Sequence, residues 1–88
     1  MGKVLAIMKI MPEDANEPIN ELRQRIGQAL EGKVRIEAWE EIPIFGPLFA
    51  LRLRFIVDDE AGGTAFVEES IKKVTGVGEI EVEAVSLI

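Results

Sequence analysis

The chain has no cysteine and no histidine. Without cysteine there is no disulfide framework, thiol nucleophile or thiolate metal site. Without histidine the usual general base and the commonest metal ligand are missing. Tyrosine is also absent, and aromatic residues make up only 6% of the 88-residue chain. Basic residues are scarce: 10 Lys and Arg against 16 Asp and Glu give a net charge of −6. A nucleic-acid binder needs a basic footprint, so this balance argues against direct nucleic-acid binding and suits a basic protein partner. No apolar run approaches the roughly 20 residues of a membrane span. Met1-Gly2-Lys3-Val4-Leu5-Ala6 passes straight into a strand pattern with none of the regions of a signal peptide, and Ala6 stands where a myristoylation motif wants Ser or Thr. A cytoplasmic protein without cofactor or metal is the expectation.

What the chain does have is an alternation of short periodic segments, read as one domain over residues 1–88. Lys3 to Met11 is apolar at both parities, as a central strand requires. Pro12-Glu13-Asp14-Ala15-Asn16 breaks it. Asn16 is a candidate cap for a helix with Pro18 in its first turn. Ile19, Leu22, Ile26, Ala29 and Leu30 recur at helical spacing, and Gly32 ends that helix. Val34 to Ala38 alternates as a second strand. Phe49, Leu51, Leu53, Phe55 and Val57 alternate as a third. Asp58-Asp59-Glu60-Ala61-Gly62-Gly63-Thr64 leads into a second helix whose apolar face is Val67, Ile71 and Val74. Gly76-Val77-Gly78 reads as a turn, and Ile80, Val82 and Ala84 mark a last strand. The order β-α-β-β-α-β implies a ferredoxin-like α+β fold: one four-stranded antiparallel sheet, both helices on one face, the first and third strands central.

Parity then assigns the uncovered face. If Phe49, Leu51, Leu53 and Phe55 meet the helices, Arg52 and Arg54 point the other way. The same parity adds Lys9, Arg35, Glu37, Trp39, Glu79, Glu81 and Glu83. The central cations can then face outer-strand glutamates, each pair contributing about 0.2–1 kcal/mol.

Between the second and third strands lies Glu40-Glu41-Ile42-Pro43-Ile44-Phe45-Gly46-Pro47-Leu48. Its prolines fix φ and remove donors, so the segment reads as a connection rather than a strand interior. Connections run over the surface. Phe45 is then either a ring folded back on the sheet edge or a ring held out for a partner, as a binding hot spot would be. The other candidates are weaker. The carboxylate clusters at Glu40-Glu41, Asp58-Asp59-Glu60, Glu68-Glu69 and Glu79/Glu81/Glu83 have no nucleophile–base pair beside them and read as solvated turns, caps and strand charges. Asp58-Asp59-Glu60 does not match a calcium loop. Gly62-Gly63-Thr64 lacks the lysine and spacing of a phosphate loop. Trp39, Arg52 and Arg54 on an open face suggest RNA stacking, but no aromatic stands on the central strands where such modules place theirs.

The combination of segments resembles the archaeal elongation factor 1-beta family and the exchange domain of its eukaryotic counterpart. The similarity rests on Val4 to Glu13, Pro43-Ile44-Phe45-Gly46, Leu51 to Val57 with Asp58-Asp59, Gly62-Gly63-Thr64 with Glu68-Glu69-Ser70-Ile71, and Val77 to Val82. It covers essentially the whole chain. The resemblance implies a guanine-nucleotide exchange factor, not an enzyme, that promotes GDP release and GTP rebinding on elongation factor 1-alpha. It implies partner contacts at Pro43, Ile44, Phe45 and Gly46, whose aromatic-glycine pair matches the inserting aromatic of the family. In this chain Ile44 and Phe45 are adjacent where relatives usually have one residue between. Eukaryotic relatives carry a lysine next to last that displaces magnesium. Leu87 occupies that place here, with Ile88 after it, a departure from that pattern, and the expectation is steric insertion by Leu87 and Ile88 instead. A monomer is expected. The alternative from another class is a ferredoxin-like regulatory or ligand-binding module that acts as a dimer.

Overall fold

The computed structural model of the protein describes residues 2–59 and 63–88. The elements follow in the order β1 (Lys3–Pro12), α1 (Ile19–Ala29), β2 (Arg35–Phe45), β3 (Leu48–Asp58), α2 (Gly63–Lys72) and β4 (Val77–Leu87). The four strands form one antiparallel sheet in the order β2-β3-β1-β4. The doubly apolar strand β1 and the strongly alternating β3 occupy the centre, and β2 and β4 are the edges.

The core lies between the sheet and the two helices. Val4, Ala6, Met8 and Ile10 of β1 and Leu51, Leu53, Phe55 and Val57 of β3 are buried, every second residue of each strand. Leu22 and Ile26 of α1 and Val67 and Ile71 of α2 close over them. The two 3.6-period apolar stripes and the two 2-period strands thus meet in a single layer. Among the described residues no polar or charged side chain is buried.

The structure differs from the sequence reading in five places. α2 ends at Lys72, so Val74 packs on the core from beyond the helix rather than from its face. Asn16 does not cap α1. Its N–H donates to Asp14 Oδ1 at 2.9 Å within the preceding turn, and the N-cap position is Pro18, with no side-chain cap bond. β2 does not stop at Ala38 but continues through Pro43 to Phe45, because an edge strand needs donors on one side only and tolerates a proline. Pro43 pairs with Phe49 in this ladder. β4 begins at Val77, a buried residue, so only Gly76 of the expected turn (φ +96°) lies outside the strand. Trp39 is on the helix side of the sheet, not the open side. Ile36 pairs with Phe55 and Ala38 with Arg54, so Glu37 is an extra residue in the ladder. One such bulge reverses the parity of everything after it. Trp39 then stands opposite core-facing Leu53 and packs on the core.

Candidate functional site: the hairpin tip and the open sheet

The β2–β3 connection is two residues long. Phe45 pairs with Leu48, leaving Gly46 and Pro47 as the turn. Gly46 has φ +53°, a value that a Cβ disfavours, and the ring of Pro47 holds its own φ near −65°. Positive φ followed by negative φ is the pattern of a type II′ hairpin turn, whose twist matches that of the flanking strands. The tip is therefore stiff, and Phe45 is fixed by backbone pairing on the last rung. Its side chain is 80% exposed, and Ile44 beside it is partly exposed. A ring so placed buries little in its own fold. Pro43, Ile44, Phe45 and Gly46 form one continuous feature, and it is a strand end and turn, not the free loop that the prolines suggest.

The end of β1 nearest the tip leads into an acidic turn. The β1–β3 register pairs Ile10 with Leu51, which puts the tip level with the exposed Glu13 and Asp14 just beyond β1. The Glu13 N–H donates to the Gly76 carbonyl at 2.8 Å, tying that turn to the start of β4. Arg25 reinforces the same corner: its Nε donates to the Thr75 carbonyl at 3.1 Å and its guanidinium pairs with Glu17 at 3.3 Å.

Leu87 and Ile88 lie elsewhere. Leu87 pairs with Val4, which pairs with Val57 near the far end of β3. From Leu48 to Val57 the distance along β3 is about 30 Å at roughly 3.3 Å per residue. Leu87 is also on the opposite edge of the sheet from Phe45. The two sets are thus diagonal corners, not one pocket. Nor is this segment a loose tail: Leu87 belongs to β4, and the Ile88 N–H donates to the Lys3 carbonyl at 2.9 Å. Both side chains remain largely exposed, at 76% and 65%.

The open face carries the ion pairing that parity implies, concentrated on one residue. Arg52 Nε and Nη2 donate to the two carboxylate oxygens of Glu83 at 2.7 and 3.3 Å, and Nη1 donates to Glu40 at 3.0 Å. The fork spans from β2 to β4 across the two central strands. Its hydrogen bonds to Glu83, and then to Glu40, raise the guanidinium pKa above its ordinary value. The same contact lowers the Glu83 carboxyl below the ordinary 4.5. Glu41, one residue on, faces the helices and pairs with Arg23 at 3.6 Å. Each carboxylate in these pairs is occupied by a cation, which leaves no poised acid–base pair among them. No cluster of three or more acidic side chains among the described residues is arranged to hold a metal. Two weaker sequence candidates, Asp58-Asp59-Glu60 and Gly62-Gly63-Thr64, include Glu60 and Gly62, which lie outside the described residues.

Sequence reasoning missed one feature. Val82, Val85 and Leu87, opposite Met8, Ala6 and Val4, form an exposed apolar row on β4. The signal was present as Ala84-Val85-Ser86-Leu87-Ile88, a stretch without charge after three spaced glutamates.

Comparison with known proteins bears on this geometry. A family model for the EF-1 guanine nucleotide exchange domain matches residues 5–88. Among curated proteins, the elongation factor 1-beta of Desulfurococcus amylolyticus is 42% identical over 98% of this chain and 97% of its own length. That of Staphylothermus marinus is 40% identical over 100% and 99%, and that of Thermoplasma acidophilum is 39% identical over the full length of both. Among solved structures, the ACT domain of the GTP pyrophosphokinase of Chlorobium tepidum superposes with a TM-score of 0.64 at 20% identity, covering 92% of this chain and 99% of that domain. That likeness shows the ferredoxin-like fold alone. With full-length similarity to archaeal relatives and a matched model over nearly every residue, the chain belongs to the EF-1 guanine nucleotide exchange domain family.

Proposed function

We propose that this protein is a guanine-nucleotide exchange factor for the elongation factor 1-alpha GTPase, promoting GDP release and GTP rebinding, and that Phe45 is its principal contact. The observation that carries this is the 80% exposed ring of Phe45 on a two-residue turn, in a chain whose family is defined by nucleotide exchange. A pre-organised aromatic loses little entropy on insertion and gains the full burial of its ring. Pro43 and Ile44 brace it from the strand, and Gly46 supplies the turn. The acidic Glu13 and Asp14, level with the tip along the sheet, suit a receiving surface with a basic rim.

Exchange needs no bond-making group on the factor. A protein that binds the nucleotide-free GTPase more tightly than the GDP form shifts population toward the empty state, and by reciprocity it weakens GDP binding by the same factor. Leu87 supplies no cation to compete with magnesium, so the action of this chain is steric and rests on the Phe45 corner. Leu87 and Ile88, about 30 Å away along the sheet, touch a separate part of the GTPase. A monomer acting in the cytoplasm, without cofactor and without nucleic-acid contact, completes the reading.

The test is release of labelled GDP from the cognate GTPase. The wild-type protein accelerates release, and Phe45→Ala slows that acceleration by one to two orders of magnitude, the scale of a lost hot spot worth about 2 kcal/mol. No acceleration by the wild type would overturn the proposal. Equal acceleration by Phe45→Ala would remove Phe45 from its centre.

A further inference from the structure

We propose that the open edge of β4 is a second docking site, one that takes an extended protein segment alternating apolar and basic side chains as a fifth strand. The inference rests on the edge itself and shares only Leu87 with the GTPase contacts proposed above. β4 is 11 residues long and pairs with β1 along one side only, so a row of N–H and C=O groups on the other side faces outward. Edges of this length are normally blunted by lysine, proline or inward charges. β2, the other edge, has Pro43 in its ladder. Val77 to Leu87 contains neither proline nor lysine. Its ladder with β1 is interrupted at Glu83 and again between Val77 and Ile80. An added strand therefore follows the regular stretches Ile80–Val82 and Ala84–Leu87 and passes over Glu83 as β1 does.

The two faces of this edge are chemically distinct. On the helix side Val82 and Leu87 are exposed and Val85 is 55% exposed, an apolar row where the core continues past the last strand. On the open side Glu81 stands opposite Lys9, with Glu79 two residues before it, and neither glutamate has an ion-pair partner among the described residues. Glu83 is taken by Arg52. A strand with apolar residues on one parity and lysine or arginine on the other would bury the row and neutralise the free glutamates. It would gain a main-chain ladder as well, as strand addition does elsewhere.

A second copy of this chain fits less well. Antiparallel self-pairing over the full edge is centred on Val82 and sets Glu81 opposite Glu83 twice, and like charges directly opposed are destabilising. Shifting the register to avoid opposed glutamates confines the pairing to Glu81–Leu87 and leaves Val77 to Ile80 without a partner. Each copy also brings a net charge of −6.

The test uses the full chain, labelled for amide spectroscopy, titrated with a capped synthetic peptide alternating valine and lysine. The amides of Glu79 to Leu87 are expected to shift and to gain hydrogen-exchange protection, while β2 does not. A peptide alternating valine and glutamate should bind at least about tenfold more weakly. Glu79→Gln with Glu81→Gln, both exposed and outside the core, should cost several-fold in affinity. Val85→Lys should cost at least as much. Absence of β4 shifts, shifts centred on β2, or equal binding of the two peptides would each overturn the proposal. So would concentration-dependent β4 shifts without peptide, which would assign the edge to a second copy.

Discussion

Two glycines make opposite predictions about why a side chain is excluded. At Gly46 no atom lies within 4 Å of where a Cβ would sit, so the objection is conformational only: φ is +53°. Gly46→Ala should therefore cost about 1–2 kcal/mol, the penalty for an L-residue in the left-handed region, and should relax the turn that presents Phe45. At Gly78 the backbone conformation is ordinary but space is missing. A Cβ would meet the Pro12 carbonyl oxygen at 2.9 Å and the Met11 carbonyl oxygen at 3.2 Å. Backbone cannot give way as a flexible side chain can, so Gly78→Ala should cost about 1–3 kcal/mol by overpacking and loosen the start of β4. Urea denaturation of both variants separates the cases. Gly78→Ala should change protection of β1 and β4 amides, Gly46→Ala only those of the hairpin. Phe45→Ala is the control: its ring buries little, so stability should stay within about 0.5 kcal/mol of wild type. A loss above about 3 kcal/mol would mean a core residue.

At the scale of elements, β1, β3 and both helices were legible in the sequence because their periods are strong: buried residues fall on every second position of β1 and, from Leu51 onward, of β3. β2 was not, for two physical reasons. Proline is a reliable break in a central strand but not on an edge, so the strand ran on through Pro43. The bulge at Glu37 then inverted the parity that had put Trp39 on the open face, and no residue type announces a bulge of this kind. The same inversion predicts a tolerated deletion. Removing Glu37 leaves Ile36 opposite Phe55 and Ala38 opposite Arg54, a ladder regular at that point, with every later pair and the second shift at Ile44 unchanged. The variant should fold with the lone tryptophan still on the core, so its emission maximum should match wild type, at a stability cost of about 1 kcal/mol or less for the lost Arg35–Glu37 pair and local twist. A red-shifted Trp39 would show that the bulge, not the downstream packing, holds the register.

Across the whole molecule, the candidate site was only half legible. The exposed aromatic could be found from Pro43 to Gly46, but sequence adjacency cannot show that Leu87 and Ile88 lie at the diagonal corner of a body 43 Å long. What links the two edges is Arg52, bonded to Glu40 on β2 and Glu83 on β4. This contact makes the sheet sensitive to acid with a defined sign. The Glu83 carboxyl is held below its ordinary 4.5 by hydrogen bonding to Arg52, so folding favours its ionised form. The resulting stability is fully present above about pH 4.5 and is lost as pH falls through the lowered folded-state value. Because both side chains are partly exposed, at 36% and 25%, solvent and salt moderate the effect. Glu83→Gln should therefore be less stable than wild type at pH 7, with the difference shrinking steadily below pH 4.5 and vanishing once Glu83 is protonated in the native state. The urea midpoint followed from pH 7 to pH 2 for both proteins is the measurement. A gap that stays constant with pH would mean that Glu83 contributes by packing across the open face and not by its charge.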